Sequence, residues 1–276
     1  MTKLEKNVFD FFKQVEDLDH KDRVKACRAL VNSLRSEYKT STVRTQLTAY
    51  RKALKPLCTS NQEVISISKA LRVNKKEQTT IQRKTLKKSI DANKKLTAIN
   101  DFEGLIAQAQ GLIKADSVAK IATGLCLLTG RRMSEVLKTA KFANWGNNKN
   151  KVYFTGQLKG KSEDKSKSKV AIYTLEDRAE IKTALKKLRT LVNAKGLTVQ
   201  QLNRKYESQI NICCRSNFRK YLGRCTSHDL RKAYATICKK FYYNGLSSED
   251  VFLAGILGHN DSDLVTVKAY KKYYIK

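Results

Sequence analysis

The chain has 276 residues, of which 41% are hydrophobic, and its 56 Lys and Arg against 25 Asp and Glu give a formal net charge of +31. No apolar run approaches the roughly 20 residues that span a bilayer, and the charged N-terminus lacks the apolar segment of a signal peptide. Seven cysteines without a C-x-x-C pair are typical of reduced thiols. We therefore expect a cytoplasmic protein with no membrane partner. So large a positive charge favours nucleic acid as the partner, with a merely lysine-rich surface as the alternative.

The N-terminal third shows the periodicity of amphipathic helices and contains no Gly, while the whole chain has one Pro. This pattern predicts a helical domain over residues 1–72. Residues 73–95 are polar, rich in Lys and poor in apolar side chains, so we interpret them as a basic linker to a second domain over residues 96–276. The predicted N-terminal helices cover residues 4–15, 19–37 and 41–58.

The second domain is predicted to mix helices with a short β-hairpin. Ser117 is placed to cap a helix that ends at Gly130, and another helix starts near Met133. Two β-rich runs, Lys151–Thr155 and Lys169–Thr174, flank a loop rich in Gly, Lys and Ser, which indicates a hairpin with a charged tip. The fold class is therefore mainly α with a small antiparallel β-hairpin or sheet. Further helices are predicted over residues 176–192, 198–206, 208–222, 228–243 and 249–258, with a last one from about 263.

Two common kinds of cofactor site are excluded by residue spacing. Gly156 and Gly160 precede Lys-Ser as in a phosphate-binding loop, but three residues separate them where four are needed. The three histidines, His20, His228 and His259, lie far apart and outside any zinc-binding motif. We therefore expect neither a nucleotide cofactor nor a metal.

Six residues in a fixed order carry chemistry suited to a phosphodiester. Arg presents a planar fork of donors that matches two phosphate oxygens, and His228 and Arg231 are three apart on one helix face. Taken singly, each residue has a simpler interpretation, such as surface charge for an Arg or an amphipathic face for the tyrosines. Those interpretations would have to hold independently at every position. The six candidates are Arg132, Lys159, His228, Arg231, His259 and Tyr270.

These residues lie in motifs that resemble the tyrosine recombinases, the phage-integrase superfamily, over residues 96–276. The double arginine and the residues around Lys159 and Tyr270 look most like the telomere resolvases, or protelomerases, which make hairpin ends on linear replicons. The resemblance implies a helical core-binding domain followed by an α+β tyrosine-recombinase catalytic domain. The motifs are T-G-R-R-M-S-E, Q-L-K-G-K, H-D-L-R and L-G-H.

The resemblance also implies a mechanism and partners. Tyr270 would attack the phosphate and leave a 3′-phosphotyrosyl link, while two arginines and His259 neutralise the charge that develops. His228 would accept the tyrosine proton, and Lys159 would protonate the departing 5′ oxygen. The bond energy kept in the link makes ATP and metal unnecessary. The implied partners are double-stranded DNA and further copies of the chain, in a nucleoid-associated or virus-encoded protein.

Several alternatives stay open at this point. An integrase would join two duplexes, a type IB topoisomerase would share the chemistry with little site choice, and a silent DNA-binding protein would keep the fold without activity. Integrases usually place their nucleophile nine residues after the G-H histidine, where this chain has Lys268. Tyr270 is eleven residues on, which leaves Tyr273 and Tyr274 as less favoured nucleophiles.

Overall fold

The chain forms two units, Met1–Ile90 and Asp91–Lys276, in the computed structural model, which describes residues 2–158, 169–259 and 267–276. The architecture is mainly helical with small sheets, so the predicted fold class is confirmed. No helix within those residues combines the length and apolarity needed to cross a membrane.

The N-terminal part of the chain is helical, as its periodicity predicts. The predicted helices over residues 4–15 and 19–37 are confirmed, whereas the third ends early because Pro56 lies in a following 3-10 turn. A further helix, α4, was not predicted. The helices are α1 (Lys3–Val15), α2 (His20–Glu37), α3 (Thr40–Leu54), α4 (Asn61–Ala70) and α5 (Lys75–Lys94), with the 3-10 turn at Lys55–Leu57.

The apolar stripes of α1 to α4 pack into a single cluster that includes Cys27, Val43 and Leu54, all fully buried. Arg23, also buried, closes the turn after α1 because its guanidinium donates to several carbonyl groups there. Its partners are the carbonyls of Val15 at 3.1 Å, Glu16 at 3.2 Å, Leu18 at 2.7 Å and Leu57 at 3.0 Å.

The segment interpreted as a basic linker is helical over Lys75–Lys94, and the boundary between the units falls after Ile90. Asn74 caps this helix: its Oδ1 accepts from the Glu77 N–H at 2.8 Å, and the Glu77 carboxylate accepts from the Asn74 N–H at 2.8 Å. The Glu77 carboxylate also pairs with Arg35 of α2 at 2.9 Å. The beginning of α5 is therefore held against the helical cluster, while the proposed domain limits stay a prediction.

The second unit is built around a buried helix, α7. Every residue of α7 from Ile121 to Thr129 is buried, and α6, α8, α9 and α10 all contact it. A helix that is apolar on all sides is surrounded by other elements. The helices are α6 (Phe102–Ile113), α7 (Val118–Thr129), a π-helical turn (Glu135–Thr139), α8 (Arg178–Val192), α9 (Val199–Leu222), α10 (Ser227–Tyr242) and α11 (Glu249–Leu257).

Among the described residues of this unit, five short strands form two sheets. The predicted hairpin is confirmed as β3 and β4, and β2 extends it to an antiparallel sheet of order β2–β3–β4. The second sheet pairs β1 with β5 in parallel, with Thr97 opposite Tyr273 and Ile99 opposite Ile275. The strands are β1 (Thr97–Ile99), β2 (Lys141–Asn144), β3 (Lys151–Thr155), β4 (Val170–Tyr173) and β5 (Tyr273–Ile275).

The break predicted between two helices near residue 207 is wrong. The helices expected over residues 198–206 and 208–222 are one helix, α9, because Tyr206, Ile210 and Cys214 continue a single buried stripe. The start of the helix expected from about residue 263 lies outside the described residues. Val267 is helical, and a 3-10 turn (Lys268–Tyr270) then leads into β5.

Candidate active site

Tyr270 is the centre of the candidate site and lies in the 3-10 turn before β5. Its side chain is only 4% exposed, although its hydroxyl is polar. The Arg231 Nε–H donates to that hydroxyl at 3.4 Å, and the guanidinium carbon lies 5.3 Å from the centre of the phenol ring. A nucleophile candidate is thus buried against a fixed positive charge.

Arg231 is fully buried and is held by the ends of two helices. It lies in the first turns of α10, and its Nη1 and Nη2 groups donate to the carbonyls of Gly130 and Leu257. Gly130 and Gly258 terminate α7 and α11 with left-handed backbone, φ +65° and +69°. A cation is favoured at helix C-termini, where carbonyl groups carry partial negative charge.

Arg132 is placed just past the end of α7 by a buried carboxylate. Glu135 is fully buried, and its Oε1 accepts from Arg132 Nη1 at 2.6 Å while its Oε2 accepts from the Arg132 backbone N–H at 3.0 Å. Burial raises the pKa of Glu135, but the charges of Arg131, Arg132 and Arg231 outweigh it and leave that pKa below its usual value. The carboxylate is therefore ionised at neutral pH and orients Arg132.

Two imidazole rings flank the phenol of Tyr270. The ring centres of His228 and His259 lie 5.6 Å and 5.3 Å from the centre of the Tyr270 ring. Burial, reinforced by the charges of Lys232 and Arg231, lowers the pKa of His228 to about 4. His228 is therefore neutral at physiological pH in the free chain, and a neutral imidazole can accept a proton.

The same arginines change the acidity of Tyr270 itself. Burial raises the pKa of Tyr270, yet the charge and hydrogen bonds of Arg231 and Arg132 outweigh burial and lower that pKa below its ordinary value. A phenol whose pKa is lowered loses its proton more readily and is a better nucleophile at neutral pH.

Tyr273 and Tyr274 differ from Tyr270 in both position and chemistry. The spacing of the three tyrosines is that of one helix face, but Tyr273 and Tyr274 lie in β5, where successive side chains point to opposite faces. Tyr273 is buried and its pKa is raised by that burial, whereas Tyr274 is 45% exposed. Among the described residues, neither Tyr273 nor Tyr274 has an arginine contact like the one between Arg231 and Tyr270.

Of the six candidates, five come together here and Lys159 lies outside the described residues. The chain just before Lys159 does contact the site. The Leu158 N–H donates to Glu135 Oε1 at 3.4 Å, and the Gln157 side-chain amide donates to the Gly258 carbonyl. Leu158, the residue before Lys159, therefore lies beside the Arg132–Glu135 pair.

Arg131 is a residue that sequence reasoning missed. It is fully buried; its Nε donates to the Thr129 carbonyl at 3.1 Å and its Nη2 to the Ile256 carbonyl at 2.6 Å. Its guanidinium carbon also lies 4.6 Å from the centre of the Phe154 ring. Burial, with the charge of Arg231, lowers the pKa of Arg131 to about 10. Arg131 and Arg231 thus join the same two helix ends, and the doubled arginine after a helix-ending glycine is the signal that could have indicated it.

No group of three or more His, Cys, Asp or Glu side chains is arranged to hold a metal ion within the described residues. The site is instead a set of cationic and neutral donors around one phenol. Such a set can stabilise added negative charge on a phosphate while a tyrosine attacks it.

Comparisons with known proteins agree with this geometry. The family model described as "Telomere resolvase ResT/TelK catalytic domain" matches residues 95–273. The protelomerase of Klebsiella oxytoca phage phiKO2 is 31% identical over 202 residues, which cover 67% of this chain and 31% of that protein. The protelomerase of Escherichia phage N15 is 30% identical with the same coverage. This chain therefore spans about a third of the length of these curated relatives.

Solved structures show the same fold. Selenomethionine protelomerase TelA, covalently complexed with substrate DNA, superposes with a TM-score of 0.88 at 20% identity over 100% of this chain and 89% of that chain. Protelomerase TelK complexed with substrate DNA gives a TM-score of 0.62 at 20% identity over 99% of this chain and 65% of that chain. With a family model matched over well more than half of its length, the chain belongs to the telomere resolvase family.

Proposed function

We propose that this protein cleaves and rejoins duplex DNA through a covalent tyrosyl intermediate and forms hairpin DNA ends. The observation that carries the proposal is the buried Tyr270 phenol beside the Arg231 guanidinium, with the rings of His228 and His259 centred 5.6 Å and 5.3 Å from the phenol ring. Relatives named protelomerases, one of them covalently complexed with substrate DNA, support the same activity.

The proposed cleavage step transfers one phosphodiester from a 5′ oxygen to Tyr270. The phenol oxygen bonds to phosphorus, its proton passes to neutral His228, and the bond from phosphorus to the 5′ oxygen breaks. Arg132, Arg231 and His259 neutralise the second negative charge of the five-coordinate transition state. Lys159 is proposed, from the family resemblance, to protonate the departing oxygen.

Rejoining reverses these bonds with a different hydroxyl. If the 5′ hydroxyl of the opposite strand attacks the phosphotyrosyl link, the tyrosine is released and the duplex end is closed as a hairpin. Each strand needs its own nucleophile for this, and one chain supplies one Tyr270. We therefore propose that two copies act together on one double-stranded site.

Duplex DNA as partner is supported by the net charge of +31. Lys and Arg contacts to phosphates supply affinity that falls with salt, while base-edge contacts supply site choice. All seven cysteines are free thiols, which is compatible with action in the reducing cytoplasm.

The decisive experiment detects the covalent intermediate. A duplex carrying the target site and a nick that traps the adduct is incubated with the protein, and the attached peptide is mapped. Tyr270→Phe should abolish the adduct because it removes only the hydroxyl, whereas the matched controls Tyr273→Phe and Tyr274→Phe should retain it. An adduct that survives in Tyr270→Phe would refute the assignment of the nucleophile.

A denaturing gel then separates this function from that of an integrase. Snap-back hairpins formed from a single duplex support telomere resolution. Joint molecules formed from two duplexes would show that the protein is a recombinase instead, and relaxation of any supercoiled plasmid would indicate a topoisomerase.

A further inference from the structure

The two lysines that follow Tyr270 are each paired with carboxylates on a different helix. Lys271 Nζ lies 2.8 Å from Asp250 and 3.3 Å from Glu249, both in the first turn of α11. Lys272 Nζ lies 2.9 Å from Asp229, in the first turn of α10. Carboxylates are favoured in the first turn of a helix, where the backbone N–H groups carry partial positive charge.

Two of the three carboxylates, those of Asp229 and Glu249, make further contacts of their own. Asp229 Oδ2 accepts from the Thr226 backbone N–H at 3.1 Å, and its Oδ1 also accepts from Lys232 at 3.1 Å. Glu249 pairs with Lys239 of α10 at 2.7 Å. Lys272, and Lys271 through Glu249, therefore pair with carboxylates that also contact other residues of the helices.

These two helices present three other residues of the candidate site. α10 carries His228 and Arg231 in its first turns, and α11 ends at Gly258, directly before His259. Just beyond the lysines, the Lys272 carbonyl accepts from the Thr97 N–H at 2.9 Å, where β5 begins to pair with β1. The chain after Tyr270 is thus connected to the two helices that present His228, Arg231 and His259.

We propose that Lys271 and Lys272 are positioning residues that align the Tyr270 hydroxyl for attack by fixing its backbone to α10 and α11. This proposal rests on the proposed function and assigns a role to two residues that the catalytic motifs do not include. Its physical basis is that attack requires the nucleophile in line with the bond that breaks, and a displacement of about 1 Å can cost about 10²-fold in rate.

Two other roles for these lysines predict different results. Lysines that contact DNA phosphates would supply affinity, so their removal would weaken binding and lower the salt dependence by about one phosphate each. If the ion pairs only stabilise the fold, removing them would lower the melting temperature. That effect should be small, because exposed pairs contribute little to stability. Both lysines are about a third exposed, 36% and 31% at the side chain, so substitution is compatible with folding.

The test compares Lys271→Met/Lys272→Met with Lys271→Arg/Lys272→Arg and with the control Lys268→Met. Lys268 is an exposed lysine in the 3-10 turn that contains Tyr270. Its variant therefore removes a neighbouring charge but leaves the ion pairs of Lys271 and Lys272 intact. Adduct formation is measured in a single turnover with saturating protein. DNA affinity and its salt dependence are measured with the same substitutions in a Tyr270→Phe background.

We expect the double Met variant to form the adduct at least about tenfold more slowly than the Lys268→Met control, with the double Arg variant within about threefold of wild type. Affinity and salt dependence should match those of the control. An adduct rate equal to that of Lys268→Met would overturn the proposal, as would a slow rate explained by lost affinity and a reduced salt slope.

Hydrogen exchange over residues 267–276 of the free chain tests the anchor without relying on activity. We expect exchange in this segment to be faster in the double Met variant than in wild type, since the ion pairs of both lysines are gone. Unchanged exchange would overturn the inference even if the wild-type chain makes the adduct. Absence of an adduct in wild type would refute the proposed function, and the exchange result would still decide whether the lysines fix this segment.

Discussion

Replacing Glu135 by Gln tests how the buried positive charge of the candidate site is balanced. The carboxylate is fully buried and lies 2.6 Å from Arg132 Nη1. It is also the counter-charge that acts on Arg131 and Arg231, both fully buried. Glutamine keeps the size of the side chain and an oxygen acceptor but removes the charge, so three guanidinium groups would share the site without a compensating anion.

Removing one partner of a buried ion pair costs about 3–5 kcal/mol. For a unit the size of Asp91–Lys276, each kcal/mol shifts the melting temperature by about 2–4 °C, so Glu135→Gln should melt roughly 6–20 °C lower. If Arg132 then loses its orientation toward the phosphate, adduct formation should also slow by about 10²-fold, as when one transition-state donor is removed.

Thermal melts of Glu135→Gln against Glu180→Gln, an exposed control, measure the first effect. The pH dependence supplies a second check, because the pKa of Glu135 is lower in the folded chain than in the unfolded chain. Its stabilising contribution is complete above the unfolded pKa of about 4.3 and is lost as the pH falls through the folded value. The difference in melting temperature between wild type and Glu135→Gln should therefore become smaller in acid. A variant that melts within about 2 °C of wild type at neutral pH would show that the buried charges are balanced in another way.

Two further outcomes follow from the geometry. Gly130→Ala should be far more destabilising than the control Gly196→Ala. Both glycines have positive φ, +65° and +74°, so both substitutions strain the backbone. A Cβ at Gly130 would also lie 2.2 Å from the ring of Tyr234, whereas a Cβ at Gly196 would meet nothing within 4 Å. Denaturant unfolding should show a loss in the free energy of unfolding of about 1–2 kcal/mol for the control and of at least about 3 kcal/mol for Gly130→Ala. Similar losses for the two variants would contradict the steric argument. In a ring-nitrogen NMR titration of the free chain, assigned with His228→Gln, His228 should remain neutral well below the ordinary midpoint of about 6.5, because its pKa is about 4; a midpoint near the ordinary value would contradict the role of burial.

Local patterns in the sequence were sufficient to predict most helices and the hairpin. Amphipathic stripes define α1, α2, α8 and α10, and the left-handed glycines end α7 and α11 as expected. The π-helical turn at Glu135–Thr139 has no comparable signal in the sequence. Helix ends are therefore readable from single residues, whereas departures from regular helix are not.

The chain end shows why the rest could not be predicted. Tyr270, Tyr273 and Tyr274 have helical spacing, but the strand after Tyr270 is stabilised by Thr97–Ile99, a partner that no local pattern reveals. Arg131 was missed for a similar reason, since its burial depends on the Ile256 carbonyl, which is distant along the chain. The motifs identified which residues to examine, and long-range contacts determine how they are held.

The parallel pairing of β1 with β5 has a consequence for the order in which the molecule assembles. The two strands flank nearly the whole second unit, so their pairing closes a very long loop and is expected late in folding. Helical segments made of local contacts form sooner, and they already carry much of the positive charge. Under the proposed function, a newly synthesised chain would therefore be able to associate with nucleic acid before its nucleophile is in place, and premature strand breakage by half-folded molecules would be prevented by topology alone.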